Sequence, residues 1–223
     1  MWTDRRRRRV GWGTLPPMGA HTTYIGHIAI NPPLSPPEVD VVRALNRTRR
    51  WDGPGGALRT STHPGDDAPP QDRTDAYNRP APGAPGLWCP WTACERGHCL
   101  HWDGLEKPYT GDRWLRWTID TLLRPGAEIA GTEWARRHSL TCDHGLEGII
   151  VGERHESGEL FALSVSDNMV RMQLLLPGDP GADEWGYRGV VDTARERRAS
   201  LAARTTRYAL ALALAEDETR PVP

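Results

Sequence analysis

Four stretches of the chain are rich in apolar residues and bounded by turn residues or prolines, which predicts β-strands. In residues 24–30 the even-numbered positions share one face and the odd-numbered positions the other, and Pro32 and Pro33 end the strand. Three further apolar stretches, separated by turn residues, lie late in the chain and predict a three-stranded meander. Its strands are residues 146–154, 159–165 and 169–176, with turn residues at 156–158 and 167–168.

A helical period replaces this alternation directly after the first strand. Ser35 is suited to the N-cap, Pro36 to the first helical position, and Glu38 to the third position of a capping box. The apolar positions that follow are three or four residues apart, which predicts a short amphipathic helix. They are Val41, Val42 and Leu45.

A second amphipathic helix is predicted to begin with Thr110 or Asp112 as its cap and to end at Pro125 and Gly126. Its apolar face comprises Trp114, Leu115, Thr118, Ile119, Leu122 and Leu123. A third helix is predicted at residues 192–215, Arg-rich at its start and rich in Ala and Leu at its end. Its apolar stripe comprises Ala194, Leu201, Thr205, Tyr208 and Leu212.

The segment between the first two helices is less regular. Residues 46–86 are rich in Gly, Pro, Asp and Arg, which predicts a long loop that is either mobile or tied down through Trp51 and Tyr77. Two short strands follow at residues 86–91 and 99–102, joined by a turn at residues 92–97. The proline within the first of these strands favours an edge position.

Strands and helices do not alternate regularly along the chain, which favours an α+β fold over a parallel α/β fold. We expect a mostly antiparallel sheet with helices packed on one face, a long irregular loop and a C-terminal helix. The predicted division is a basic, disordered extension at residues 1–21, a domain at residues 22–176, and a linker with a helix at residues 177–223. Met18 offers a second start for translation.

Composition narrows the function classes. The chain has 223 residues, a formal net charge of −1, ten Trp and one Phe, so Trp is its main aromatic residue. A balanced charge argues against a general affinity for phosphate backbones. The arginines at positions 5–9 precede no apolar run of signal-peptide length, and no segment has the apolar length of a membrane span. We therefore expect a cytoplasmic protein with no membrane partner.

Cysteine and histidine concentrate in one short segment, and the ligand candidates there are Cys89, Cys94, His98, Cys99 and His101; Cys142 and His144 come later. Because zinc takes four Cys or His ligands, a site built from Cys89, Cys94, Cys99 and His101 is one interpretation. Four residues separate successive cysteines, unlike the two of a zinc knuckle. The other interpretation is small buried thiols and surface histidines, and we expect no cofactor, with zinc as the alternative.

A second candidate for chemistry lies between the last of these strands and the second helix. Glu106, beside Asp103, Lys107 and Tyr109, has the character of a general acid or base if it is desolvated against Trp102. The structural interpretation is a turn at Asp103, a capping or salt-bridging Glu106, a surface Lys107 and a packed Tyr109. No second carboxylate or nucleophile signature accompanies Glu106 in the sequence, which favours the structural interpretation.

Several motifs in this chain form a wider pattern. They are G-x-I-x-I-x-P-P-L at residues 26–34, W-C-x-W at residues 88–91 and W-D-G-x-E-K-x-Y at residues 102–109. The pattern resembles a family of small proteins from actinobacteria and their bacteriophages, over about residues 22–175. It departs from that family at Pro108, where an aromatic residue is usual, and in the tail from residue 177. The resemblance implies a small α+β domain and implies no activity.

These observations favour a non-enzymatic accessory or interaction domain that binds a protein partner. The expected contact residues are Trp88, Trp102, Asp103, Glu106, Lys107 and Tyr109, because Trp and Tyr are favoured interface anchors. Two alternatives remain open: a nucleic-acid-binding protein that uses Trp114 and Trp117 with neighbouring arginines, and a zinc-binding or Glu106-based enzyme. A homodimer through the C-terminal helix is a further expectation.

Overall fold

A computed structural model of the protein describes residues 22–60, 74–105, 110–155 and 157–178. Six strands form one sheet in these ranges. In chain order they are β1 (Thr22–Asn31), β2 (Trp91–Ala93), β3 (Cys99–Trp102), β4 (Gly145–Arg154), β5 (Glu159–Ser166) and β6 (Met169–Leu176). The spatial order is β2-β3-β1-β4-β5-β6, and every neighbouring pair is antiparallel. The predicted α+β fold and the predicted meander are confirmed.

Strand β1 lies in the middle of the sheet because it pairs with β3 on one side and β4 on the other. One face of the sheet carries the core. Ile28, Leu100, Ile150 and Leu163 from four adjacent strands are all fully buried on that face. The even-numbered positions of β1, which were predicted to share one face, include the buried Tyr24, Ile28 and Ile30.

The helices pack on this core face. They are α1 (Pro36–Arg47), α2 (Thr74–Tyr77), α3 (Gly111–Thr118) and α4 (Glu133–Arg137), and a π-helical turn, Ile119–Leu123, continues α3. Helix α1 starts as predicted: the backbone N–H of Ser35 donates to Glu38 Oε2 at 2.8 Å. The predicted apolar positions of α1 and α3 are buried in one cluster with the sheet.

The segment at residues 46–86 is tied down at both of its ends. A short 3-10 turn (Gly56–Leu58) and α2 lie within it, and an isolated antiparallel bridge joins Trp51 to Pro80. Trp51 is buried, and its ring lies 6.0 Å from that of Tyr77. Of the two alternatives for this loop, the structure supports anchoring through Trp51 and Tyr77 in the part that it describes.

Two local predictions were wrong. A strand at residues 86–91 was expected, but β2 starts only at Trp91 and runs into the predicted turn as far as Ala93. Pro90 has no N–H to donate to a ladder, and the preceding chain pairs instead with Arg50, whose N–H donates to the carbonyl of Leu87 at 2.8 Å. Helix α4 was not predicted, because its five residues are too few to show a helical period.

Some predictions fall outside the ranges that the structure describes. They are the basic extension at residues 1–21 and the third helix at residues 192–215, together with the dimer contact expected of it. Within the described ranges, none of the helices combines the length and the apolar character that spanning a membrane requires.

Candidate functional site

A tight turn joins β2 to β3 and places three metal-binding side chains together. The turn is closed by two backbone hydrogen bonds, from Cys94 N–H to the carbonyl of Cys99 and from Gly97 N–H to the carbonyl of Cys94, each 3.0 Å long. Gly97 has φ +70°, a left-handed conformation that favours glycine. Cys94 and Cys99 therefore face each other at the end of the hairpin.

This turn is fixed to the rest of the protein by the connection after β1. The N–H of Ile30 donates to the carbonyl of His98, and the N–H of Leu34 donates to the carbonyl of Gly97, both at 2.9 Å. The contact at Gly97 is close: a Cβ built on this residue would lie 2.3 Å from the carbonyl oxygen of Leu34. Arg43 on α1 also donates through Nε to the carbonyl of Ala93 at 3.2 Å.

The ligand atoms of Cys94, His98 and Cys99 all lie within 4.8 Å of one another. Cys94 Sγ is 3.6 Å from His98 Nδ1, and the His98 ring is exposed. In the part of the chain that the structure describes, this is the group of three side chains that meets the geometry of a metal site. The arrangement offers two sulfur donors and one nitrogen donor at the surface.

The two thiols of this group differ in acidity. Partial burial acts to raise the pKa of Cys94, but hydrogen bonds from the Cys99 thiol and from the N–H groups of Cys99, His98 and Arg96 outweigh it and lower that pKa. Burial, the hydrogen bond to Cys94 and the charge of Cys94 raise the pKa of Cys99 to about 12. Cys94 is thus the more acidic thiol of the pair.

Of the four residues first considered as zinc ligands, the structure brings only Cys94 and Cys99 together. Cys89 is buried elsewhere: its Sγ lies 3.6 Å from the carbonyl of Trp91 and 3.9 Å from Thr118 Oγ1, and burial raises its pKa. The His101 ring contacts the backbone instead, through Nδ1 at 2.8 Å from the carbonyl of Trp102. His98, from the same segment, occupies the third position.

The turn after β3 holds Asp103 in a structural contact. Asp103 Oδ1 accepts from the N–H of Leu105 at 2.9 Å, and Oδ2 accepts from Asn46 Nδ2 at 2.7 Å. Asn46 also donates to the carbonyl of Cys89 at 2.8 Å, so Asp103 fastens the end of α1 to this turn. Glu106, Lys107 and Tyr109 lie outside the described residues.

The two candidate tryptophan anchors differ in exposure. Trp88 is 48% exposed, and the guanidinium of Arg49 lies 5.7 Å from its ring and 4.2 Å from the ring of Tyr77. Trp102 is partly buried, and its ring meets that of Tyr24 edge to face at 6.0 Å. Trp88 is therefore the one of the two that presents a large aromatic surface.

The tryptophans considered for base stacking both pack against the core, and Trp117 is only partly buried. Trp114 is buried, and its ring meets that of Trp117 edge to face at 5.4 Å. The buried guanidinium of Arg50 lies 5.2 Å from Trp114 and 5.9 Å from Trp117. Arg50 donates to the backbone carbonyls of Leu45, Thr48 and Ala57. This cluster closes the end of α1, and Trp114 has no face left for a base.

Strand β6 carries an unusual share of exposed apolar surface. The large apolar side chains that are substantially exposed in the described ranges are Ile25, Trp88, Leu105, Met169, Met172, Leu174 and Leu176. Four of these seven lie on β6, at 44–57% exposure. Strand β6 is the terminal strand of the described sheet, so it has a neighbouring strand on one side only.

No family model, curated protein sequence or solved structure matches this chain. The resemblance to small actinobacterial and phage proteins therefore stays a prediction. In the described part of the chain, the group of Cys94, His98 and Cys99 at the β2–β3 turn and the exposed apolar side chains of β6 are features that packing of the core does not explain.

Proposed function

We propose that this domain is a non-enzymatic interaction module that binds a protein partner through strand β6. The observation that carries the proposal is the concentration of exposed apolar side chains on that strand. Isolated exposed apolar residues are normal in a folded protein, but a contiguous group marks an interaction surface. The partner expected from this chemistry presents an apolar, extended segment.

The sheet geometry supports a surface on both sides of β6. Met172 pairs in register with the buried Leu163, so it projects from the core face of the sheet, yet its side chain is 52% exposed. Met169 pairs with Ser166 and projects from the opposite face. Methionine is well suited to such a surface because its flexible side chain adapts to different partners. A partner segment that lies along β6 would contact side chains on both faces.

A photo-crosslinking experiment tests this proposal in the full-length chain. A photoreactive amino acid is placed at position 172 or 174, and the protein is irradiated in a lysate of its own organism, treated with nuclease. We expect the same partner to be crosslinked from both positions. A control label at Arg137, on the exposed face of α4, is expected to give no such product.

A variant that introduces a charge on β6 supplies the second half of the test. Leu174→Lys is expected to abolish the crosslink from position 172, because a charge in an apolar contact is costly to desolvate. Crosslinks that form only with a second copy of the chain, only within the chain, or equally from position 137 would overturn the proposal. A crosslinked product that forms only in a lysate without nuclease treatment would favour the nucleic-acid alternative instead.

A further inference from the structure

We propose that Cys94, His98 and Cys99 form a zinc site at the tip of the β2–β3 hairpin, with water as the fourth ligand. This inference is independent of the partner proposed for β6. It replaces the four-residue site considered from the sequence with a different set of ligands. It adds a metal to a chain for which no cofactor was expected.

The spacing of the donor atoms fits a tetrahedral ion. With Zn–S bonds of about 2.3 Å and Zn–N bonds of about 2.0–2.1 Å, a sulfur and a nitrogen on one zinc lie roughly 3.6 Å apart. Cys94 Sγ and His98 Nδ1 are 3.6 Å apart. Cys99 Sγ lies within 4.8 Å of both atoms, so a small adjustment of its side chain completes the set.

The backbone around Cys94 supports the same group of ligands. The N–H of Cys94 donates to the carbonyl of Cys99, and the N–H of Gly97 donates to the carbonyl of Cys94, each at 3.0 Å, so the two cysteines are held opposite each other at the end of the hairpin. Hydrogen bonds that fix the position of ligand residues are typical of the outer contacts of a metal site.

The scaffold holds the turn in place without a metal. The hydrogen bonds from Ile30 and Leu34 fix two carbonyls of the turn, and Leu34 leaves no room for a side chain at Gly97. A ligand set held by rigid elements loses little entropy when the ion binds. The described part of the chain thus presents a preformed site.

The donor set selects the kind of metal. Thiolate and imidazole ligands favour zinc over magnesium and calcium, which take oxygen ligands. Two thiolates balance the charge of a divalent cation. Three protein ligands leave one position open, and the exposure of His98 gives solvent access to it.

Metal titration of the reduced, chelator-treated full-length chain tests the proposal. Zn²⁺ is titrated in competition with a chromophoric chelator, and Co²⁺ is used as a spectroscopic probe. We expect one Zn²⁺ per chain. The cobalt complex is expected to show thiolate charge-transfer bands together with the visible bands of a tetrahedral ion.

Variants identify the ligands. Cys94→Ser, Cys99→Ser and His98→Asn are each expected to weaken zinc binding by about 100-fold or more, since outer contacts alone contribute about 10–100-fold. The matched controls, Cys89→Ala and His101→Gln, are expected to bind as the wild type does. The exposed ring of His98 makes His98→Asn the variant least prone to misfold.

Three results would overturn the proposal. They are the absence of stoichiometric binding, a cobalt spectrum without thiolate bands, and wild-type zinc affinity in a folded His98→Asn chain. Circular dichroism of each variant shows whether it has folded. Equal losses in the ligand variants and in the controls would also count against this site.

Discussion

The carboxylate of Glu38 lies 3.1 Å from the imidazole of His144, although 106 positions separate these residues in the chain. Both side chains are buried. Glu38 Oε1 also accepts from the N–H and the hydroxyl of Thr141, each at 2.8 Å, while His144 Nδ1 lies 2.7 Å from the carbonyl of Pro32. One carboxylate therefore joins the start of α1 to the chain that enters β4.

We expect Glu38→Gln to lower the free energy of unfolding at pH 7 by about 2–3 kcal/mol, because charge-assisted hydrogen bonds become neutral ones. Urea denaturation of both chains measures the difference. The control is Glu133→Gln, which removes an exposed ion pair with Arg137 and is expected to cost about 0.5 kcal/mol or less. Equal effects of the two substitutions would show that the buried carboxylate contributes no more to the free energy of unfolding than the exposed one.

Acid should remove the contribution of Glu38. Burial acts to raise its pKa, but the hydrogen bonds from Thr141, Ser35 and His144 outweigh burial and lower that pKa from 4.5 to about 2. Because the folded-state pKa is the lower one, the stabilisation is complete above about pH 4.5 and is lost as the pH falls towards 2. The stability gap between the wild type and Glu38→Gln should narrow over that window, and a gap independent of pH would contradict this assignment.

Arg50→Lys is expected to destabilise the protein by about 2–4 kcal/mol. Lysine keeps the charge, but it cannot reach the carbonyls of Leu45, Thr48 and Ala57 from one planar group. Arg49→Lys is the control, since its guanidinium stacks on Tyr77 and Trp88 nearer the surface and should lose about 1 kcal/mol or less. Chemical denaturation separates the two, and a mild effect at position 50 would mean that charge alone matters there.

Gly97→Ala is expected to weaken zinc binding at least about tenfold and to destabilise the fold, because the new Cβ would clash with the carbonyl of Leu34. Gly83→Ala provides a matched control. Gly83 also has a positive φ, +82°, but a Cβ there meets nothing within 4 Å. The difference between these variants isolates the clash from backbone strain, and identical zinc affinities would show that the turn does not position the ligands.

Leu174→Lys should change the free energy of unfolding by less than about 0.5 kcal/mol, because the side chain is already more than half exposed. Val170→Lys on the same strand should cost more than about 2 kcal/mol, since Val170 is buried against the core. Thermal unfolding measures both. A large loss at Leu174 would indicate that this position serves folding and would weaken the case for a binding surface.

Local patterns predicted most of the fold because most of its elements bury one face. The sequence patterns predicted β1, β4, β5, β6, α1 and α3, and for the two helices they also identified apolar positions that are buried. Helix α4 was missed because a five-residue helix shows no period, and β2 was placed too early because Trp88 and Cys89 resemble strand residues. At β2 the competing contact of Arg50 with Leu87 decides the path, and the sequence around position 88 carries no sign of it.

The candidate metal site was only partly predictable. Spacing drew attention to the right segment, but the ligand set depends on the pairing of Ala93 with Leu100, which places Cys94 opposite Cys99. The turn is also fixed by hydrogen bonds from Ile30 and Leu34, which lie far away in the chain. Similarly, the capping role of Glu38 was predicted from the nearby Ser35. Its hydrogen bonds with Thr141 and His144 were not predicted, because these residues lie more than a hundred positions further along the chain.

The bridge between Trp51 and Pro80 brings together the two ends of the segment at residues 53–78. Asp52 N–H donates to the carbonyl of Arg79, and Ala81 N–H donates to the carbonyl of Arg50, so the hydrogen bonds that join the ends lie outside the segment. Lengthening such a segment costs little free energy, because the entropy of loop closure grows only slowly with the number of residues. We therefore expect the fold to accept an inserted epitope or reporter sequence here without a change in the register of the sheet.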